Sequence, residues 1–383
     1  MKRKISVTTG SRSEYGILRP LLKAISTNDI LELFLIVGGM HLSEKHGMTI
    51  NEIKKDGFKI FATVDMIPKG NSTYDMAEAL GKGISSFAKI FHKLRPDINL
   101  ILGDRDEALA SALAAYHMNI PNAHIHGGDK SKAGIDEYNR HCITKISNIH
   151  FAATRKSKER IIKMGENPKY VFLTGSPSID EVVTNKITNK SDLEIKYGLR
   201  FTGKEILLLQ HPVTTQTEHS GKQIITTLKA ISKLGNTTIA IAPNSDAGNK
   251  KIFEYLESFS KKYKFIKMYP SLPRADYLGM LKNCAVLVGN SSSGIIECSY
   301  FNTQVVNIGI RQEGRERGKN VIDVQNESVN SIYSAIIKAL KRKSRKDVIN
   351  EHIYGKGNAS ATIIRYLERM NLDKELIQKQ IFY

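Results

Sequence analysis

The sequence predicts an α/β protein made of two consecutive doubly wound domains, each built on a parallel sheet. Three observations carry this. Short β-rich runs alternate with helical patterns from residue 5 to residue 324. The runs are continuously apolar, as in strands buried on both faces. One polar stretch of weak period, residues 181–205, divides the series in two. A chain of 383 residues has room for two cores of ordinary size.

In order, ISVTT (5–9) is a strand, and YGILRPLLKAI (15–25) carries the spacing of an amphipathic helix. LELFLIVGG (31–39), FKIFATVD (58–65), INLILGD (98–104), NAHIHGG (122–128) and IHFAAT (149–154) are further strands. STYDMAEALGKGISSFAKIFHKL (72–94) and DEALASALAAYHM (106–118) are the clearest helices between them, and VFLTGSPSID (171–180) closes the first series. The second series runs through EILLLQHPV (205–213), TTIAIAPNSD (237–246), KFIKMYP (264–270), AVLVGNSSS (285–293), QVVNIGI (304–310) and VIDV (321–324). From about residue 328 to the end the pattern is helical only. The expected domains are therefore 1–182 and 183–360, with a helical tail, 361–383, packing back on the first. Ligands of such domains are expected at the carboxyl ends of the strands, in a cleft where the two face each other.

Hydrophobic content of 41% with 25% charged residues is that of a soluble globular protein. No apolar run reaches the roughly 20 residues of a membrane span, and MKRKISVTTG enters a strand directly, without the apolar core of a secretory leader. A cytoplasmic location is expected, with no membrane partner. Cys142, Cys284 and Cys298 are odd in number and scattered, which suggests neither a disulfide framework nor a zinc ribbon. The net charge of +19 raises nucleic-acid binding as a remote alternative. Against it, the lysines are spread along the chain, and no aromatic residues interleave with basic ones as base stacking requires. No nucleic-acid partner is expected.

Nearly every unusual polar cluster follows a strand: TTGSRSEYG, LGDRDE, HIHGGD, LQHPVTT, APNSDAG, GNSSSG and NIGIRQEGRERG. A single cluster of this kind is explained by a helix cap or a tight turn. Seven on matching edges call for more. GNSSSGIIE (289–297) would open a helix whose amides favour an anion, with Arg311, Arg315 and Arg317 near enough in sequence to neutralise phosphate. GKGISS (81–86) lies inside a helical pattern, so it is no phosphate loop.

The stretch HIHGGDKSKAGIDEYNRH (124–141) leaves three readings open: a metal site, a proton-transfer site, or a polar loop with core histidines. Asp104, Asp246 and His211 could complete a metal set begun by His124 and His126. However, Arg105 and Arg140 stand beside the carboxylates and would compete with a cation for them. Carboxylates and imidazoles in proximity suit proton transfer, because neighbours separate their pKa values.

Read together, G-S-R-S-E-Y-G, L-G-D-R, H-I-H-G-G-D, D-E-x-x-R-H, Q-H-P-V-T-T, G-N-S-S-S-G and I-G-x-R-Q-x-G-R resemble the hydrolysing UDP-N-acetylglucosamine 2-epimerases, in order from residue 5 to about 324. The resemblance implies the GT-B architecture, two Rossmann-like domains across a cleft, with a nucleotide-sugar substrate and neither metal nor cofactor. It implies a homo-oligomer, dimer or tetramer. By the motifs, Arg12 resembles the phosphate-side arginine, and Asp104 with Arg105 the pair beside the sugar. His126, Asp136, Glu137 and Arg140 fall on the acid/base loop. His211 and the pair Ser291 and Ser292, with Gly294 in the same motif, resemble diphosphate contacts. Asn244 and Asp246 match positions near the nucleotide, Glu297 the ribose-binding residue, and Arg311 another active-site arginine. Non-hydrolysing relatives have a lysine shortly after the first arginine; here the chain reads S-E-Y-G-I, which favours the hydrolysing branch.

The implied reaction releases a free N-acetylmannosamine-type sugar and UDP, for sialic-acid-like sugar biosynthesis. C2–H of a sugar is not acidic, so its loss accompanies departure of the diphosphate to give a 2-acetamidoglucal. Water then adds at C1 while C2 is reprotonated on the other face. The alternatives within the architecture are a glycosyltransferase, which leaves C2 untouched, and a non-hydrolysing epimerase.

Overall fold

The computed structural model describes residues 2–44, 47–70, 72–132, 134–184, 187–243, 246, 248–344 and 352–383. The chain forms two compact units. Unit one comprises Met1–Asp129, Asp136–Glu181 and Tyr354–Tyr383, and unit two Lys130–Ile135 and Val182–Ile353. The first unit thus takes the chain back at Tyr354, seven residues before the tail expected from sequence. The middle of the H-I-H-G-G-D…D-E-Y-N-R-H stretch belongs to the second unit, where Lys132 pairs with Glu313 at 2.7 Å.

The first unit carries seven parallel strands: β1 (Arg3–Thr9), β2 (Leu31–Gly38), β3 (Ile60–Val64), β4 (Ile98–Leu102), β5 (Asn122–Ile125), β6 (Ile149–Ala152) and β7 (Val171–Leu173). Their order, β3-β2-β1-β4-β5-β6-β7, reverses direction between β1 and β4. Such a switch point opens a crevice beyond the carboxyl ends of the two strands. The core is apolar, from Ile5, Val7 and Leu35 to Leu100 and Phe151, all fully buried. One polar ladder crosses it: Ser6 donates to Asn99 at 3.0 Å, and Asn99 to Asn122 and to Ser111, each at 3.0 Å. Those amides pair with one another, so β1, β4 and β5 are held in register without an unpaired buried dipole.

The second unit repeats the plan with six parallel strands: β8 (Ile206–Leu209), β9 (Thr238–Ile241), β10 (Ile266–Tyr269), β11 (Val286–Gly289), β12 (Gln304–Ile308) and β13 (Val321–Val324). The order is β10-β9-β8-β11-β12-β13, with the switch between β8 and β11.

The strands are shorter than their apolar runs at the carboxyl end. Gly103 (φ +72°) and His126 (φ +65°), just past β4 and β5, and Gly289 (φ +136°), the last residue of β11, turn the chain out of the sheet. The polar clusters are therefore loops. GKGISS lies inside the helix Thr73–Leu94, started by a reciprocal Ser72/Asp75 capping box. The stretch 181–205, read as a plain junction, contains the helix Lys190–Tyr197. Asn189 caps its start and left-handed Gly198 its end, so caps define it where the apolar period is weak. Among the described residues no helix is long and apolar enough to cross a membrane, and all three cysteines are free.

The returning tail is fastened at two points. Asp180 accepts from the amides of Ala359 (2.8 Å) and Ser360 (2.5 Å), at the start of the helix Ala359–Arg369. Buried Glu166 receives Lys145 (2.7 Å), Lys379 (2.6 Å) and His150 (3.2 Å). Burial would raise this carboxyl, but the hydrogen bonds from His150 and the lysines outweigh it and hold its pKa at about 2. The depressed value makes the cluster stabilising above about pH 4.5, with that gain lost as pH falls through about 2. Glu166→Gln should cost about 2 kcal/mol at neutral pH, since a buried carboxylate that accepts hydrogen bonds from two partly exposed ammonium groups is replaced by a neutral amide. The deficit relative to wild type should shrink on acidification, as denaturant melts at a series of pH values would show.

Candidate active site

Arg140 organises the site of the first unit. It lies on the helix Ile135–Lys145 and is 1% exposed. Nε donates to Asp104 Oδ2 at 2.9 Å, and Nη2 reaches the same oxygen. Nη1 donates to Glu137 Oε2 at 2.6 Å and to the Asp129 carbonyl at 3.1 Å. Burial alone would lower its pKa, but the carboxylates of Asp104 and Asp129 outweigh it and raise it, so the guanidinium stays charged. Glu137 reaches His141 Nε2 with its other oxygen, at 3.0 Å. Asp104, from the turn after β4, and Glu137, from a helix start, thus share one cation. Both stay about a quarter exposed, at 22% and 24%.

The H-x-H pair is occupied from within the protein. His124 Nε2 donates to the Gly103 carbonyl at 2.7 Å, and burial pushes its pKa down to about 3. His126 Nδ1 lies 2.9 Å from Asp129 Oδ2, and its Nε2 2.8 Å from Ser176 Oγ. Among the described residues no three His, Cys, Asp or Glu side chains converge as a metal would need. Of the readings left open by the sequence, His124 takes that of a core histidine.

The remaining first-unit candidates lie nearby in the fold. Arg105, at the cap position of the helix Asp106–His117, approaches Met40 Sδ at 3.9 Å and Glu107 Oε2 at 3.8 Å. Arg12 makes a two-point ion pair with Glu52, at 3.0 and 2.8 Å, on the helix Ile50–Lys55. Asp136 lies in the first turn of the Arg140 helix, partly exposed.

In the second unit, Asn290 ties three strand ends together. It exchanges two hydrogen bonds with the His211 backbone (2.7 and 2.8 Å), and its carbonyl accepts from Arg311 (3.3 Å) and Gln312 (3.0 Å). Gly289 is required before it, because a Cβ there would lie 2.0 Å from the Leu209 carbonyl oxygen. Ser291 caps the short helix Ser292–Ile296. Gly294 faces the sheet, where a Cβ would lie 3.1 Å from Leu287 and Val305. Glu297 is held by Arg274 at 2.6 and 3.2 Å and by Ser293 at 2.6 Å, and Tyr277 donates to Ser293 at 2.6 Å. Asp246 begins the turn leading to the helix Asn249–Lys262, its carbonyl accepting from the Asn249 amide. Asn244 lies outside the described residues.

The structure adds residues that the sequence reading passed over. Asp129 and Asn290 stand inside motifs already quoted. Arg274 and Ser176 follow β10 and β7, so the rule that polar residues cluster after strands would have found them. Glu14 and Glu107 likewise stand inside the quoted clusters TTGSRSEYG and LGDRDE. Glu14 accepts from the Gly10 amide at 2.9 Å, while Glu107 packs so closely on Gly10 and Gly39 that a Cβ at either would collide with its carboxyl.

Two parallel sheets, each with polar and charged loops at the carboxyl ends of its strands, define an α/β enzyme of the nucleotide-handling kind. The family model for UDP-N-acetylglucosamine 2-epimerase matches residues 23–368. A Legionella pneumophila protein named UDP-N,N'-diacetylbacillosamine 2-epimerase (hydrolyzing) is 37% identical, over 99% of each chain. A polysialic acid biosynthesis protein of Escherichia coli is 37% identical over 96% of this chain and 94% of its own. The crystal structure of UDP-GlcNAc 2-epimerase from Neisseria meningitidis bound to UDP-GlcNAc superposes with a TM-score of 0.82 at 19% identity, over 96% of this chain and all of that one. That likeness shows a GT-B-like fold. The chain belongs to the UDP-N-acetylglucosamine 2-epimerase family, the one its seven motifs resemble.

Glu14 supplies a test of the carboxylate packing around Gly10. Burial, and then the nearby Glu107 charge, push its pKa from 4.5 up to about 7, against the pull of Arg105. A carboxyl raised in the folded state binds its proton more tightly there, so the fold loses stability as pH rises from about 4.5 through 7. Glu14→Gln lacks that titration. Its melting temperature should gain on wild type over this interval and run parallel above it, as read by paired melts from pH 4.5 to 8.5.

Proposed function

We propose that the protein hydrolyses a UDP-2-acetamido sugar with inversion at C2, giving UDP and a free manno-configured sugar. The observation that carries this reading is the Arg140 clamp. Two carboxylates of different surroundings, Asp104 and Glu137, share one buried guanidinium, an arrangement suited to taking one proton and returning another. The name of the Legionella pneumophila relative, 37% identical over nearly the whole chain, supports the hydrolytic outcome, and it favours testing UDP-N,N'-diacetylbacillosamine beside UDP-N-acetylglucosamine.

In this reading, the residues of the first unit act on the sugar. One carboxylate of the clamp removes the C2 proton as the C1–O bond breaks. The electron pair of C2–H forms the C1–C2 double bond, and the C1–O pair leaves with UDP. Arg105 and Asp136 border this chemistry, and His126 stands behind it. Arg12 exchanges its Glu52 partner for phosphate oxygens. In the second unit, His211, Ser291, Ser292 and Arg311 take the diphosphate, Gly294 letting their helix lie close on its sheet. Glu297 takes the ribose hydroxyls, and Asn244 and Asp246 border the nucleotide. Water then adds at C1, and a proton is delivered to the opposite face of C2. The substrate is the partner that matters here, and the chain works as a cytoplasmic homo-oligomer.

Asp104→Asn and Glu137→Gln should each lower kcat by roughly two to four orders of magnitude, with KM changed far less. Wild type in deuterated water should release a sugar carrying deuterium at C2, identified by NMR. Release of an unepimerised gluco sugar that keeps its C2 protium would refute the epimerase reading and favour a glycosyltransferase acting on water.

A further inference from the structure

We propose that Ser176 and Asp129 are positioning residues that withhold His126 from proton exchange with the sugar, so that transfer at C2 rests on Asp104 and Glu137. This deepens the 2-epimerase reading and rests on it.

The hydrogen-bond directions are fixed by the partners. The Asp129 carboxylate accepts, so His126 Nδ1 donates its proton across the 2.9 Å contact. In the neutral ring with its proton on Nδ1, Nε2 is the acceptor, so the Ser176 hydroxyl donates to it at 2.8 Å, while Ser176 Oγ accepts from the Ser178 amide at 3.2 Å. Both ring nitrogens are therefore satisfied within the protein. Their partners lie deeper than the ring: Ser176 is 0% and Asp129 3% exposed, against 7% for His126.

Neither partner is placed to swing away. Asp129 Oδ1 accepts from Ser157 at 2.7 Å, and Ser157 from Thr154 at 2.9 Å. The Ser176 amide donates to the Tyr354 carbonyl at 2.8 Å. Gly175 before it (φ +82°) packs so tightly that a Cβ would lie 3.0 Å from that same oxygen. To act as a base, Nε2 would have to abandon the Ser176 hydroxyl, leaving a buried donor unsatisfied. His126 itself is held at φ +65°, a conformation unfavourable for a residue with a Cβ. The strain is sustained because the ring fits this clamp.

The clamp passes its geometry to the reacting groups. Asp129 grips His126 with its side chain, and its carbonyl takes Arg140 Nη1 at 3.1 Å. Arg140 in turn sets Asp104 and Glu137. Ser176, His126, Asp129 and Arg140 thus form one chain from the loop after β7 to the two carboxylates.

The test compares His126→Gln, His126→Ala, Ser176→Ala and the His126→Gln/Ser176→Ala pair, each first shown to bind UDP as wild type does. The substrate is a nucleotide sugar that wild type epimerises. His126→Gln cannot carry a proton but can bridge both partners, so it should lose only roughly tenfold in kcat and exceed His126→Ala. Ser176→Ala should fall by a similar factor, and the double variant no further, because both changes break one link. Product from every variant should carry C2 deuterium in deuterated water. A His126→Gln enzyme that binds UDP yet is as inactive as Asp104→Asn would overturn the proposal, as would a Ser176→Ala enzyme of wild-type or greater kcat. Should the glutamine variant fail to bind UDP, the Ser176→Ala result alone decides. A wild-type enzyme that leaves C2 unchanged would instead remove the function on which the proposal rests.

Discussion

A guanidinium that is 1% exposed has little water to solvate it, and the first unit is arranged around that constraint at Arg140. Isolated in a protein interior, such a charge would be strongly destabilising. It is tolerated because partners arrive from three directions: Asp104 from the end of β4, the Asp129 carbonyl from the loop after β5, and Glu137 from its own helix. The first two depend on turns that regular structure does not supply, at Gly103 and His126 in left-handed conformations. Moving any of these loops would leave the buried charge short of a ligand. The charge therefore enforces the precision that proton transfer at carbon requires.

The second unit meets a related need at Asn290 with a neutral side chain. Asn290 is a neutral residue whose amide and carbonyl bind the ends of β8 and the loop beyond β12. Its rigidity comes from backbone pairing, and it leaves hydroxyls and arginines in the loops beside it. The division suits the proposed chemistry. A leaving diphosphate gains negative charge as the C1–O bond breaks and needs donors of fixed orientation where that charge grows. The C2 proton needs groups whose protonation can change.

Most of the fold was legible because buried parallel strands are apolar runs and each of the two domains repeats that signal. Each expected strand, from ISVTT to VIDV, is present, and most of the runs overreach by including the first loop residues at the carboxyl end. The helix Lys190–Tyr197 escaped because two turns carry too little period, although N-x-x-D and Y-G marked its ends. The seven clusters named the family, since each follows a strand and all seven keep their order. What sequence could not convey was partnership. Nothing in the letters shows that Arg12 is paired with Glu52, that Arg274 grips Glu297, or that Ser176 faces His126 from fifty positions away. These contacts join segments that follow different strands, and only the assembled sheet brings them together.

The same distinction bears on how the histidine of H-I-H-G-G-D is understood. A motif records residue type and order, and in that record an imidazole beside carboxylates reads as an acid or a base. In the fold both nitrogens carry hydrogen bonds to buried groups, and the neighbouring His124 is equally committed to Gly103 and lies in the core. Asp104 and Glu137 differ in kind, since each keeps part of its surface exposed while leaning on a permanent cation. A base must meet its substrate and must be able to change charge without losing its place. Arg140 gives the two carboxylates that freedom, because a proton gained by one of them leaves the guanidinium still held by the other and by the Asp129 carbonyl.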